Sequence, residues 1–334
     1  MMNLLYAVRQ TWFPSIFLSR DLDRIARVSR ILRNDVPADV SKDFLLQHIA
    51  EADIAVTSWD TAPFDADVMA QAKRLKLVAH AAGSLKPIVS EALWDHKVRT
   101  VSLSAAISYG VAEYCLGCML TASKRIFWAT EGTRQGQWKE GMSVFNGPFE
   151  LYNQKIGIIG AGHVGRHLIR LLKSFTCDIM IYDPYLSAES AAEMGVTQLK
   201  SLDAMFAQCK VVTLCAAGNE QTRHMIAQRH FALLPKGALF INVSRGGIFD
   251  EDELAAELAK GQFIACIDVT NVEPTPVDHP FRKLPNLLFT PHLAGVAAEN
   301  RLRIGTMAAD EIEAFVQGKP LRYEVTKEML ARIA

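Results

Sequence analysis

Three glycines, in Gly160-Ala161-Gly162-His163-Val164-Gly165, follow the apolar segment Lys155–Ile159 and precede a stretch of helical periodicity. A strand, glycines at this spacing and a helix are what a pyrophosphate site requires. The first glycine turns the chain sharply, the second lets backbone approach phosphate, and the third lets helix and sheet pack closely. Backbone N–H groups of His163 and Val164 would then face an anion at the helix start, where the peptide dipoles favour negative charge. The next apolar run, Ile179–Tyr182, ends in Asp183, followed by Pro184 and Tyr185 with no arginine. A carboxylate there accepts both hydroxyls of an adenosine ribose and repels a 2′-phosphate, so NAD is expected in preference to NADP.

Three ionisable residues come later, each behind a short apolar run. Arg245 follows Ala238–Asn242 in Asn-Val-Ser-Arg-Gly-Gly, and Glu273 lies past Ala265–Asp268 in Asp-Val-Thr-Asn-Val-Glu-Pro. His292 ends Leu287–Thr290 in Phe-Thr-Pro-His-Leu-Ala-Gly. The C-terminal ends of strands are where an open α/β sheet places its ligands. Singly, each residue also has a plain structural role open to it: a turn cap, loop surface or a satisfied core histidine.

Other candidates for chemistry are weaker. His163 and His167 stand four apart, but without the intervening Glu of a zinc helix or a third ligand, so solvent-facing histidines and no metal are expected. Cys115 and Cys118 form a C-x-x-C inside the apolar run Val111–Ala122 with no second pair, which points to buried structural thiols.

The elements that must position these residues are short β-branched runs alternating with helical segments, the pattern of parallel α/β layers. In the N-terminal part the expected strands are Leu4–Val8, Ile54–Thr57, Leu77–His80 and Thr100–Ser102, with helices at Leu22–Leu32, Ser41–Ala50 and Asp65–Ala72. A long apolar helix is expected from Tyr109 to Trp128, then a polar stretch from Gly132 to Asn153. The alternation restarts at Lys155–Ile159 and continues through Ile179–Tyr182, Val211–Cys215, Ala238–Asn242, Ala265–Asp268 and Leu287–Thr290. Helices fit at Val164–Lys173 and Glu251–Lys260, and a last one at Ala297–Gln317 follows the completed second set. The expected architecture is α/β with two Rossmann-like domains. A dinucleotide-binding, doubly wound parallel sheet (104–296) is inserted into a flavodoxin-like substrate domain (1–103 and 297–334).

The composition allows this. The 334 residues are 50% hydrophobic, enough for two cores, and 36 basic residues balance 36 acidic ones. Balanced charge without basic clusters gives no pull toward nucleic acid or anionic membrane. Six scattered cysteines fit a reducing compartment, and the apolar N-terminus Met1–Val8 is too short to span a bilayer, so a cytoplasmic protein is expected.

Taken in order, His-Ala-Ala-Gly-Ser around Gly83, Val-Ala-Glu at 111–113, the Gly160 loop and the three later motifs resemble the D-isomer-specific 2-hydroxyacid dehydrogenase family over nearly the whole length. The resemblance implies an NAD-dependent interconversion of a 2-hydroxy acid and its 2-oxo acid. It implies that Arg245 binds the substrate carboxylate, that His292 is the acid/base and that Glu273 orients its imidazole. It further implies cofactor contacts at Ala216, Val243, Ser244, Arg245, Asp268, His292 and Gly295, with Asp268 accepting from the nicotinamide carboxamide. Backbone near Gly83 and Ser84 would meet the substrate carboxylate, and relatives are mostly homodimers.

Two segments depart from the family pattern. Ala217 stands where a proline is more usual, and the run Ser84-Leu85-Lys86-Pro87 lacks a downstream Asp. Lys86 either supplies a second positive charge for a larger or more acidic substrate or is a solvated loop lysine. Trp12, Phe13 and Trp59 follow N-terminal strands and either wall a pocket or pack the core. Two other readings share the fold: an NAD-responsive corepressor-like binding protein, for which the chain has no long disordered tail, and a phosphite-type dehydrogenase.

Overall fold

A computed structural model describes residues 1–33, 35–139, 144–330 and 332–333. The chain divides into two compact units, Met1–Ile107 with Val296–Ala334, and Ser108–Gly295. Part of the expected polar stretch after the long helix, residues 140–143, lies outside the described residues.

The first unit is built on β1 (Met2–Ala7), β2 (Ser29–Ile31), β3 (Ile54–Thr57), β4 (Leu77–His80), β5 (Arg99–Ser102) and β13 (Glu324–Val325). Their order is β13-β5-β4-β3-β1-β2, with all neighbours parallel except β13 on β5. The parallel part is therefore wound 2-1-3-4-5, the flavodoxin-like order. Strands β3 and β4 are buried throughout, as sheets covered on both faces require. The helix Ala298–Val316 belongs to this unit, where Ile304, Ala308 and Ile312 pack with Leu4, Val56 and Leu77. Arg24 from helix Ser19–Val28 holds Glu313 at 2.6 Å, and Arg99 holds Glu324 at 2.6 Å.

The second unit carries β6 (Lys155–Ile159), β7 (Asp178–Tyr182), β8 (Thr197–Gln198), β9 (Val211–Leu214), β10 (Leu239–Asn242), β11 (Ile264–Ile267) and β12 (Leu287–Phe289). They form one parallel sheet in the order β12-β11-β10-β9-β6-β7-β8. Counted within the unit this is 3-2-1-4-5-6 plus one further strand, the doubly wound dinucleotide-binding arrangement. The winding reverses between β6 and β9. One face buries Ile156, Ile158 and Ile181 against helix residues Cys115, Met119 and Leu168. The other packs Phe206, Phe231, Phe240 and Phe249 largely edge to face, with Phe263 stacked on Phe231. Each fully buried side chain of this size contributes about 1.5–3 kcal/mol.

Three expectations need correction. The single helix from Tyr109 to Trp128 is two, Ser108–Ser123 and Ile126–Arg134, separated at Arg125 with φ +57°. The Arg125 side chain is fully buried there and donates to the carbonyls of Ala122 and Phe145, so burying one long cation breaks the helix without Gly or Pro. The helix expected over Leu22–Leu32 stops at Val28, because Ser29–Ile31 pair with Met2–Leu4 as β2. His167 is not solvent-facing: it is 9% exposed, its ring 3.8 Å from that of Tyr109.

Candidate active site

The glycine loop sits where the second sheet's winding reverses. Gly160 has φ +104°, and a Cβ on it would lie 2.7 Å from the Ala216 backbone, so the turn after β6 accepts only glycine beside the turn after β9. A Cβ on Gly165 would come within 2.1 Å of the Gly160 carbonyl oxygen, which is the close helix–strand approach. Around Gly162 nothing lies within 4 Å of a Cβ position, so the middle of the loop is open space. Gly162 is the N-cap of helix His163–Leu172 with no side-chain cap. The first N–H groups of that helix thus have no intrahelical partner and suit an anion.

Asp183, just past β7, reaches this loop. Its Oδ2 accepts from Ala161 N at 2.7 Å and its Oδ1 from Tyr185 N at 2.8 Å. The residues present fit a dinucleotide: an open glycine cradle, a helix start without a side-chain cap and a carboxylate one strand over. The segment after β9 is an ordered turn. Asn219 Oδ1 accepts from Gln221 N and Thr222 N, and Thr222 Oγ1 donates to the Ala217 carbonyl, so its geometry comes from Asn219 and Thr222 without a proline at 217.

Arg245 follows β10 on a turn shaped by a fully buried asparagine. Asn242 Oδ1 accepts from Ser244 N at 3.0 Å, and the Ser244 hydroxyl donates to the Ala216 carbonyl. Val243 lies between them, half-buried. The Arg245 stem runs over Gly218, where a Cβ would meet its Cγ at 2.6 Å. Burial lowers the guanidinium pKa, and the nearby Glu273 carboxylate pulls it back up. An arginine remains charged through such a shift.

Glu273 and His292 meet directly, with His292 Nδ1 2.6 Å from Glu273 Oε2. The other carboxylate oxygen, Oε1, accepts from Thr270 N at 3.1 Å. Among the described residues His292 Nε2 has no protein partner, and the side chain is 53% exposed. His292 itself has φ +52°, a conformation that costs a residue with a side chain on the order of 1–3 kcal/mol and persists only where surroundings enforce it.

Asp268 is what enforces it. Its carbonyl accepts from His292 N at 2.8 Å, Oδ1 accepts from Leu293 N at 2.8 Å, and Oδ2 accepts from Ala294 N at 2.9 Å. Oδ1 also accepts from the Thr290 hydroxyl at 2.6 Å, so the 2.6 Å contact between Tyr114 and Thr290 must have the tyrosine as donor. Burial holds the Tyr114 phenol in its neutral form. Gly295 follows this clamp, half-buried.

The structure therefore brings Arg245, Glu273, His292, Asp268 and the glycine loop to one edge of the second sheet. Gly83, Ser84 and Lys86 are in the first unit, after β4, and all three are half-buried. Beneath that turn His80 is 2% exposed, with Nδ1 3.0 Å from Thr57 Oγ1. Burial pushes its imidazole pKa down to about 4, against a weaker opposing effect of the Ser84 backbone, so the ring is neutral near pH 7. Sequence reasoning missed Tyr114, Asn242, His80 and Thr57. Polar residues at the ends of otherwise apolar strands, as in Thr57, His80 and Asn242, were the available signal. Tyr114 on its helix gave none.

Among the described residues no three His, Cys, Asp or Glu side chains cluster to hold a metal, and no helix is long and apolar enough to cross a membrane. Cys115 and Cys118 are buried, and both are free thiols.

Residues 116–294 match the family model for the D-isomer specific 2-hydroxyacid dehydrogenase NAD binding domain. A D-3-phosphoglycerate dehydrogenase of Methanocaldococcus jannaschii is 32% identical over 298 residues, 89% of this chain and 56% of that protein. A hydroxypyruvate reductase of Thermotoga maritima is 30% identical over 277 residues, 82% of this chain and 88% of that one. The chain spans about half the length of the D-3-phosphoglycerate dehydrogenases it matches. In fold it is similar to the apo D-mandelate dehydrogenase of Rhodotorula graminis, at TM-score 0.82 and 20% identity over 98% of both chains. With its glycine loop, Asp183 and doubly wound second sheet, the chain belongs to the D-isomer specific 2-hydroxyacid dehydrogenase family, with NAD as cofactor.

Proposed function

We propose that this chain interconverts a D-2-hydroxy acid and its 2-oxo acid, with Arg245, Glu273 and His292 as the catalytic residues. The observation that carries the reading is the His292–Glu273 contact, which occupies Nδ1 and leaves Nε2 as the proton-transfer atom. Bound NADH supplies the hydride in the reducing direction. Protonated His292 gives its Nε2 proton to the oxygen of the 2-oxo group, and neutral His292 takes that proton back during oxidation. Glu273 fixes which nitrogen carries the second proton. The Arg245 fork grips the substrate carboxylate and polarises the carbonyl beside it. In the first unit, the Gly83 and Ser84 backbone and Lys86 are the substrate-binding candidates.

The cofactor would be held by Gly160, Gly162, His163, Val164 and Gly165 at its phosphates and by Asp183 at its ribose. Ala216, Val243, Ser244 and Gly295 would line it. Asp268 Oδ2 accepts from Ala294 N, and the second lone pair of a carboxylate oxygen would suit the nicotinamide carboxamide.

The test is NADH oxidation with glyoxylate, hydroxypyruvate, pyruvate, 2-ketogluconate and longer 2-oxo acids. Turnover of at least one is expected, and no turnover with any removes the reading. NADPH should be poorer in kcat/KM by at least about tenfold, because Asp183 would face a 2′-phosphate with like charge. A preference for NADPH would contradict the role given to Asp183.

We further propose a homodimer formed through the face of helices Ser108–Ser123 and Ile126–Arg134. Leu120, Ile126 and Phe127 are exposed there, beside a groove of about 620 Å³ lined by Tyr114, Thr121, Phe127 and Phe289 among others. Contiguous exposed apolar surface of this kind marks association sites. Light scattering should give twice the chain mass, and Phe127→Glu should shift it toward the monomer. A wild-type monomer at micromolar concentration sinks the proposal.

A further inference from the structure

Glu273 is carried by a loop that builds no core of its own. From Asn271 to Asp278 every residue except Thr275 is exposed. Such a segment is held by a few hydrogen bonds rather than by apolar packing. Within the loop, Thr270 N donates to Glu273 Oε1 at 3.1 Å, and the Thr270 and Thr275 hydroxyls meet at 2.8 Å. From outside, Arg282 donates to the Thr275 and Pro276 carbonyls at 2.8 Å. The remaining ties converge on one carboxylate.

That carboxylate is Glu251, the first residue of helix Glu251–Ala259. The N-cap Asp250 already accepts from Asp252 N and Glu253 N, which leaves the Glu251 side chain free of capping. It is turned onto the loop instead and is 11% exposed. Its Oε1 accepts from Asn271 N at 2.8 Å, and its Oε2 lies 3.2 Å from His279 Nε2. His279 Nδ1 accepts from Phe281 N at 3.4 Å, so in the neutral ring the proton sits on Nε2 and is donated to Glu251. The imidazole is also packed edge-on to the Phe281 ring, with centroids 4.7 Å apart. Glu251 thus grips the loop on either side of Glu273. Its hold is beside the turn that carries Arg245: a Cβ on Gly246 would lie 2.3 Å from Asn271 N, so the two backbones touch there.

We propose that Glu251 and His279 are positioning residues, which strap the loop so that Glu273 Oε2 stays on His292 Nδ1. This rests on the dehydrogenase reading above and assigns the pair no part in the proton or hydride steps. A carboxylate suits the place, because a helix start favours negative charge and N–H bonds to a charged acceptor are stronger than neutral ones. A tie that served only the fold would be worth the same with or without the Glu273 side chain. A strap that acts through Glu273 is worth nothing once that side chain is gone.

The experiment uses NADH and the 2-oxo acid turned over fastest. Glu251→Ala should lower kcat about 10–30-fold, with KM and the NADH dissociation constant within about threefold, because a small misplacement of a group at the chemistry is costly. His279→Leu should behave alike, and His279→Gln, whose amide nitrogen can donate in place of Nε2, should keep most of the activity. In a Glu273→Ala background, Glu251→Ala should cost less than about twofold more. An additive loss in that background, or a loss confined to KM, overturns the proposal.

Nitrogen-15 shifts of the His292 ring, read through its carbon-bound protons in mildly alkaline buffer, give a reading independent of turnover. Wild type should carry the proton on Nδ1, facing Glu273, and Glu251→Ala should move it toward the Nε2 form. If no acid is turned over but the tautomer shifts in this way, the strap stands and the dehydrogenase reading falls. If the tautomer is the same in both proteins, the strap falls whatever the turnover.

Discussion

Replacing His292 by Gln is expected to lower kcat about 10²–10⁴-fold, the usual worth of a positioned general acid, while the dissociation constant for NADH moves by less than about threefold. The expectation follows from where its two nitrogens are. Nδ1 is spent on Glu273 at 2.6 Å, and Nε2 is the atom left to face a substrate oxygen. Glutamine has a comparable reach but cannot deliver a proton. The glycine loop and Asp183, to which the proposal gives most of the cofactor contacts, are elsewhere on the same sheet edge and do not depend on the imidazole. Single-turnover rates and an NADH fluorescence titration on the same variant separate the two effects. If binding is lost along with turnover, His292 is holding the cofactor and the proton-transfer role is wrong. His292 is half-exposed with φ +52°, so the substitution should not unfold the unit, and an unchanged Tm serves as the control.

Arg245→Lys is expected to cost about 10²–10³-fold in kcat/KM, even though the charge is kept. A lysine offers one compact ammonium where the guanidinium offers a planar fork, and bidentate recognition of a carboxylate is lost. The surroundings sharpen this. Arg245 is desolvated enough to lower its pKa, its stem lies on Gly218, and one NH1 donor is spent on the Ser244 carbonyl at 2.7 Å. A lysine there would leave that carbonyl without its donor. The loss should appear in both KM and kcat, since the proposal has the same group grip the carboxylate and polarise the carbonyl. A change confined to less than fivefold would mean that another cation binds the carboxylate.

Much of the fold was legible because buried parallel strands leave a local mark. Runs such as Ile54–Thr57, Leu77–His80 and Val211–Leu214 are apolar, β-branched and bounded by turn residues, and each is a strand within a residue of where it was expected. What escaped was set by partners distant in sequence. Ser29–Ile31 continue the apolar spacing of the helix before them and become β2 only by pairing with β1. Glu324–Val325 are a strand because β5 offers an edge and Arg99 a counter-ion. The helix break at Arg125 has no glycine or proline to announce it. It exists because carbonyls of Ala122 and Phe145 converge on one buried guanidinium.

The candidate site divides in the same way. By itself the sequence determined which residue types follow which strands: the spaced glycines, Asp183 after β7, and Arg245, Glu273 and His292 in order. Strand ends and turn glycines are local features, written in a few adjacent residues. Only the tertiary structure decided what those residues do to one another. It put Glu273 on Nδ1 of His292 and turned Asp268 into the clamp that holds His292 in a left-handed conformation. It also set Glu251 against Asn271 and His279, on either side of Glu273. The reason is physical. A hydrogen bond between residues far apart in sequence depends on how whole strands are stacked and twisted, and no run of neighbouring residues encodes that.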